Sequence, residues 1–402
     1  MKFPTILGGL GTLIFGVAAA AAPFYSITEI KPPGSSFSGS AINDSGQVAG
    51  TGPLVPDGPI HALLYSRGVV KDLGTLPGAT TTVVTGINRK GQVTGYAGVE
   101  ETPYSDKWNT VHSFLYTNGS MQDLGTLVGG QYAFAKAIND EGVVVGQAYT
   151  ASDTCSQAFV YRNGVMSPVG TCGTTQVAFY INNRGNIVGT TPRNSNNKIQ
   201  GFFSKDGTSV ITMHCLDKLP CSGTNYTSPA DMNDKGQVTG FARDSAGVAH
   251  PYLYQNGVMK DLGTLGGNDG MGFAINASGA VTGYSKPANG AEHAFLYKDG
   301  VMKDLDPKGT ADFSLGTGIS DKGDVLGFAG NLTTFEFYDF LYTEGRIWKL
   351  KDLISPRSPL KGIVDIYYAK MIAGNGYILV DGYNTKTGVQ TSYILKPQER
   401  ED

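Results

Sequence analysis

Charge is scarce in this 402-residue chain: only 16% of its residues are ionised, and 31 Lys and Arg against 34 Asp and Glu leave a net charge of −3. That balance provides no electrostatic footprint for nucleic acid or an anionic membrane surface. Proline is ordinary at 19 residues, which argues against low-complexity disorder. After the N-terminal segment, no apolar run is long enough to span a bilayer. The Gly-Thr-Leu-Gly-Gly stretches lack the Lys-Ser/Thr pair and the following helix of a phosphate loop. A Gly-x-Ser-x-Gly nucleophile elbow is missing as well. The four cysteines show no Cys-x-x-Cys spacing, so zinc is a poor fit.

Glycine is abundant instead, with 56 residues, roughly twice the usual share of about 7%. Many tight turns between short strands account for it. With 40% hydrophobic residues the chain can bury a large core. The N terminus reads as an export signal over residues 1–22: Lys2, an apolar stretch from Ile6 to Val17, then small residues from Ala18 to Ala22. A retained anchor is the alternative, disfavoured by the short apolar core. The expectation is a secreted or periplasmic protein, monomeric, with one domain over 23–397, a polar tail at 398–402 and no cofactor.

Three phrases recur in fixed order. The first is VVKDLGTLPG at 69–78, SMQDLGTLVGG at 120–130, VMKDLGTLGG at 258–267 and VMKDLDPKG at 301–309. The second runs from AINDSGQVAG at 41–50 to a worn MIAGNGYILV at 371–380, with its second residue at 42, 87, 138, 181, 232, 275, 319 and 372. The third is HALLY at 61–65, HSFLY at 112–116, HPYLY at 250–254 and HAFLY at 293–297, with looser copies elsewhere. Together these lines resemble the HAF-repeat family of predicted extracellular proteins, over nearly the whole mature chain. Tyr closes the third phrase here where family members often have Trp. The resemblance implies export and a repeated β fold, and no defined activity.

Each unit reads as four strands, a to d. The Gly-containing a–b turn needs a left-handed residue, and the Asn-Gly or Asp-Gly of the c–d turn is a strong hairpin signal. Strand c is apolar at consecutive positions, so both its faces must be covered. Strand d is mixed in character, and Pro168 suits it to an outer edge. Sheets packed face to face and closed into a ring make an all-β propeller of eight four-stranded blades, with seven as the alternative. The last unit has no strand d of its own, and Tyr25–Ile30 is the segment expected to supply it.

Four cysteines fit an oxidising compartment. Cys155 and Cys172 lie equally far from the Asn163-Gly164 turn, which predicts a directly opposed, non-hydrogen-bonded pair about 4.5 Å apart at Cα. Cys215 and Cys221 then pair by elimination.

Tight a–b and c–d turns share one face, so the longer, irregular b–c connections (96–111, 190–200, 328–339) and d–a connections (217–229, 266–272) share the other, where recognition is expected. The richest patch there is Glu100, Glu101, Tyr104, Asp106 and Trp108, extended by Tyr132, Phe335, Glu336 and Tyr338. Aromatic rings beside carboxylates suit a glycan or a peptide, and point to a binding or adhesion module. The alternatives are a glycosidase or lyase using a pair from Glu100, Asp106, Asp269, Glu336 and Asp339, or a purely structural role. His61, His112, His250 and His293 all open strand c, are spread around a ring, and are expected to make structural hydrogen bonds. The Asn-Asp-x-Gly turns offer too few carboxylates for calcium.

Overall fold

The computed structural model describes residues 24–398, apart from 32–33, 35, 101–107, 128, 151–154, 193–198, 215, 217–225, 245, 289 and 307–308. Strands of the described residues assemble into eight four-stranded antiparallel sheets. Each of the first seven is a sequential meander, as in blade one: Ser38–Ile42, Val48–Pro53, Ile60–Ser66 and Val69–Gly74. The eighth contains Val364–Ile372, Ile378–Asn384 and Gln390–Pro397, and its outer strand is the N-terminal Tyr25–Glu29. The protein is an eight-bladed β-propeller whose seam joins the two ends of the chain. Pairing runs from Tyr25 opposite Pro397 to Glu29 opposite Tyr393, and Ile30 N–H adds a bond to Ser392 O at 3.1 Å.

Turn chemistry follows the sequence. The a–b glycines, from Gly46 to Gly376, have φ between 71° and 97°. At the c–d turns of blades one, two, three, five, six and seven both residues are left-handed, as in Asn118 (φ 53°) and Gly119 (φ 84°). The hydrophobic core lies between blades. Ala49, Ala62, Leu73 and Leu76 of blade one, for example, pack with Val84, Val93, Ala97 and Phe114 of blade two. The strand-c aromatics Phe114, Phe159, Phe202, Phe295 and Phe340 are fully buried there.

A β-bulge occupies the same place in strand a of every blade, and the hydrophobic pattern does not reveal it. The ladder shifts register between Val84 and Gly86 and between Ala135 and Ala137, with counterparts in the other blades. Opposite each of these two shifts sits the last glycine of the Gly-x-Val-x-Gly phrase. A Cβ on Gly95 would lie 1.9 Å from Val83 O and 2.9 Å from the Phe114 ring. On Gly146 it would lie 2.1 Å from Phe134 O and 2.8 Å from Phe159. Only a bare Cα lets the bulged backbone and the strand-c ring both approach, so the glycine of one phrase and the aromatic of the next form one packing unit. In blade eight a second bulge falls between Ile366 and Tyr368.

Cys155 and Cys172 are bonded, as expected, but not in the expected register. Their Cα atoms are 6.0 Å apart. The c–d ladder of blade three stops at Phe159 opposite Pro168, and the chain then folds back through a turn in which Thr174 N–H bonds Thr171 O. One bond, Val169 N–H to Ala158 O at 2.8 Å, continues in register beyond Pro168, and the turn at Thr171–Thr174 then carries Cys172 out of the ladder. Cys215 and Cys221 lie outside the described residues.

Two stability outcomes follow. Gly95→Ala is expected to cost about 3 kcal/mol through overpacking, whereas Gly68→Ala, whose Cβ meets nothing within 4 Å, should lose only about 1–2 kcal/mol from its left-handed φ of 86°. Ile27→Ala in the seam strand should cost about 2–4 kcal/mol. Urea unfolding of the three variants measures the order, and equal losses at the two glycines would contradict the packing argument.

Candidate functional site

On the tight-turn face, a recess of about 240 Å³ is centred on the ring axis and lined by the a–b turns, including Asn43, Asp44, Asn88, Arg89, Asn139 and Asp140. Its amides are committed to the fold. Each Asn Oδ1 accepts N–H groups of its own turn, as Asn43 does from Ser45 and Gln47 at 3.0 and 3.1 Å. Each Nδ2 crosses to the main-chain carbonyl of the next blade's equivalent residue. The links run Asn43 to Asn88, Asn88 to Asn139, Asn139 to Asn182, Asn182 to Asn233, Asn233 to Asn276 and Asn276 to Ser320, at 2.9–3.1 Å. The Asn-Asp phrase thus serves turn closure, and also a belt between blades.

The histidines have partners in their own blade. His61, His112, His250 and His293 bond through Nδ1 to Asp72, Asp123, Asp261 and Asp304 at 2.8–3.0 Å. The first three of these carboxylates also accept N–H from Gly74, Gly125 and Gly263. The Lys of the Lys-Asp-Leu phrase donates to the closing Tyr of the next blade: Lys71 to Tyr116, Lys260 to Tyr297 and Lys303 to Tyr342, at 2.6–2.8 Å. One phrase therefore recognises another across each of these blade interfaces. His250 has a raised pKa, chiefly from its bond to Asp261 and partly opposed by burial. Burial pushes the Asp261 carboxyl up, but bonds from His250 and Gly263 outweigh it and hold it below its usual range.

The long-loop face differs in kind. Exposed aromatic side chains concentrate at the junction of blades seven and eight. Phe335, Phe337, Tyr367 and Tyr368 are 78%, 47%, 52% and 54% exposed, and Tyr383 is also exposed. Phe337 stacks on Phe328 with centroids 6.0 Å apart and planes 8° apart, and Phe313 completes the cluster at 6.3 Å from Phe337. Strand Val364–Ile372 of blade eight adjoins the three inner strands of blade seven. Its second bulge, around Tyr367, breaks the alternation that would hide one of two consecutive tyrosines. Carboxylates surround the rings: Glu336, Asp312 and Asp365 are exposed. Asp339 accepts the Ala369 N–H across the junction, and burial pushes its carboxyl up to about 6.

Among the residues expected at the site, Glu101, Tyr104 and Asp106 lie outside the described residues. Glu100 and Trp108 pair with each other at the ends of the long b and c strands of blade two. Tyr132 starts blade three, edge-on to Tyr149 with centroids 5.8 Å apart, and is not part of the blade-seven cluster. Phe335 and Glu336 do belong there. Tyr338 has its neighbours on the opposite side of its strand, in the core shared by blades six and seven, because successive strand residues point to opposite faces. The long irregular connections expected at 328–339 and 266–272 are largely strand: Val325–Asn331 and Glu336–Thr343 flank a short turn, and Gly266–Ile275 is continuous. Asp269 bonds Tyr284 and sits 3.6 Å from Lys286 in blade six, while Asp339 faces blade eight. Of the aromatics missed by sequence reading, Phe337, Tyr367 and Tyr368 sit where the repeats are most worn, in FEFYDF and DIYY, whereas Phe313 and Phe328 lie on the first two strands of blade seven, outside those stretches. That local loss of the repeat was the available signal.

No protein-family model matches the sequence, and no curated protein does so either. Solved structures share the fold at low identity. The dipeptidyl peptidase 4 of Porphyromonas gingivalis matches over 90% of this chain and 59% of its own, with 12% identity and a TM-score of 0.50. An acylaminoacyl peptidase matches over 79% and 52%, with 12% identity and a TM-score of 0.44. YCF48, solved bound to a D1 peptide, matches over 94% and 98%, with 8% identity and a TM-score of 0.43. The chain thus spans just over half the length of the two peptidases, and the likeness to the dipeptidyl peptidase is one of fold alone.

The His250–Asp261 pair carries a pH signature. A raised His pKa makes its contribution to stability complete on the acid side of neutrality and removes it as pH rises through the folded-state value. The melting-temperature advantage of the wild type over His250→Gln should therefore shrink between about pH 5.5 and about pH 8.5. An advantage that stays constant or grows over that interval would exclude the charged pair.

Proposed function

We propose that this protein is an exported binding module that takes a glycan on its long-loop face, at the junction of blades seven and eight. The observation carrying this reading is the concentration of exposed aromatic side chains at one blade junction, since such contiguous apolar patches mark interaction sites. A sugar ring presents C–H groups to an aromatic face and hydroxyls to neighbouring carboxylates, which Glu336, Asp312 and Asp365 supply. The Cys155–Cys172 bond supports export to an oxidising compartment. The leader-like segment lies outside the described residues, and the HAF-repeat resemblance points the same way.

The reading is tested on a glycan array with the wild type, Phe337→Ser and Tyr368→Ser. Val165→Ser serves as a control, an exposed apolar residue on the outer strand of blade three. Glycan signal should fall about tenfold in the first two variants, as expected for losing an aromatic contact worth roughly 1.5 kcal/mol, and persist in the control. Undiminished signal in both variants would remove the junction from the binding site. Recognition confined to a parallel peptide array would replace the glycan by a peptide.

A further inference from the structure

A second cavity lies on the other side of blade seven. It encloses about 520 Å³, within the size range of small-molecule sites, and is lined by Asp306, Thr310, Tyr338, Arg346, Ile347 and Lys349, among others. Its place in the repeat explains its chemistry. In blade two the corresponding recess, about 360 Å³, lies between the connector from blade one and the His112–Asp123 pair. In blade seven the His position is Tyr338 and the Asp position, opposite Phe340, is Lys349. A neutral or negative pair has been exchanged for a phenol and a cation.

The charges that line the cavity do not cancel. Asp306 is buried, and its carboxylate is already occupied by N–H and hydroxyl donors of Thr310, at 3.0 and 2.7 Å, and by Ala311 N–H. Lys349 Nζ lies 4.7 Å from the Tyr338 ring centroid. Among the described residues, no carboxylate comes within 4.0 Å of Lys349 or Arg346. Burial, and then the Asp306 charge, raises the Tyr338 pKa against a bond with Thr310 that lowers it, and the phenol oxygen can still accept from a ligand hydroxyl. Two cations against one internally satisfied carboxylate leave a place for one external carboxylate. The phenol and the Thr310 hydroxyl add hydrogen-bonding groups, and Ile347 supplies an apolar wall.

We propose that the cavity between blades six and seven binds a hydroxylated carboxylate of sugar-acid size, with Arg346 and Lys349 holding the carboxylate and Tyr338 a hydroxyl. The site is separate from the aromatic junction, because Phe337 and Tyr338 face opposite sides of one strand. Calorimetric titration of the purified protein with D-glucuronate, D-glucose and benzoate tests it. Glucuronate should bind at least about tenfold more tightly than either, since glucose lacks the carboxylate and benzoate the hydroxyls. Lys349→Gln and Arg346→Gln, on an exposed outer strand, should each weaken glucuronate by about tenfold with an unchanged melting temperature. Phe337→Ser should bind glucuronate like the wild type, so that failure at one site is distinguishable from failure at the other. Equal affinity for glucose or benzoate, absence of glucuronate binding, or insensitivity to both Gln variants would overturn the assignment.

Discussion

The ring rests on an amide that works in two directions. At the end of strand a, one Asn oxygen closes its own hairpin while the nitrogen of the same side chain reaches the neighbouring blade. Because the group is buried, leaving one of its bonds unmade costs about 1–3 kcal/mol. No single blade can satisfy it alone, since half of its hydrogen bonding belongs to the next repeat. Local turn geometry and global closure are thereby set by the same residue. The belt changes in blades seven and eight, where Ser320 and Ala373 replace Asn. There Asp321 N–H bonds Gly374 O, and Asn375 Nδ2 returns to Asp44 O in blade one.

The same two blades carry the exposed aromatics. Relaxed repeat chemistry and an unusual surface coincide at the proposed site, although blade four, whose outer strand is Ile211–Thr212, is irregular as well. The departures are specific. An added bulge in blade eight exposes two consecutive tyrosines beside blade seven, and a His–Asp position of blade seven converted to Tyr–Lys lines a cavity on its other side.

Much of the architecture could be read from the chain alone because periodicity enforces it. Blade number, the seam and both turn types each depend on residues that recur in phase. The bulge could not be read that way, since one extra residue leaves the apolar pattern intact; the recurrent glycine opposite it was visible without its reason. The disulfide was paired correctly on a ladder that the turn at Thr171–Thr174 ends before it reaches Cys172. The site was harder still. Length drew attention to the loop around Tyr104, whereas the exposed rings of blade seven lie on strands whose alternation sends Phe337 and Tyr338 apart. Alternation is a local rule, and which side meets solvent is decided by the neighbouring blade.

Seam order has a kinetic meaning. Of the described strands, the outer strand of the final blade comes first in the chain and its partner, Gln390–Pro397, comes last, some 370 residues later. Contacts so remote in sequence form slowly. Until Gln390–Pro397 has been made, Tyr25–Glu29 remains an unpaired edge beside an unclosed stack, a state that invites pairing with another chain. Loss of either Tyr25–Glu29 or Gln390–Pro397 would open the same blade, so closure of the ring depends on a single joint.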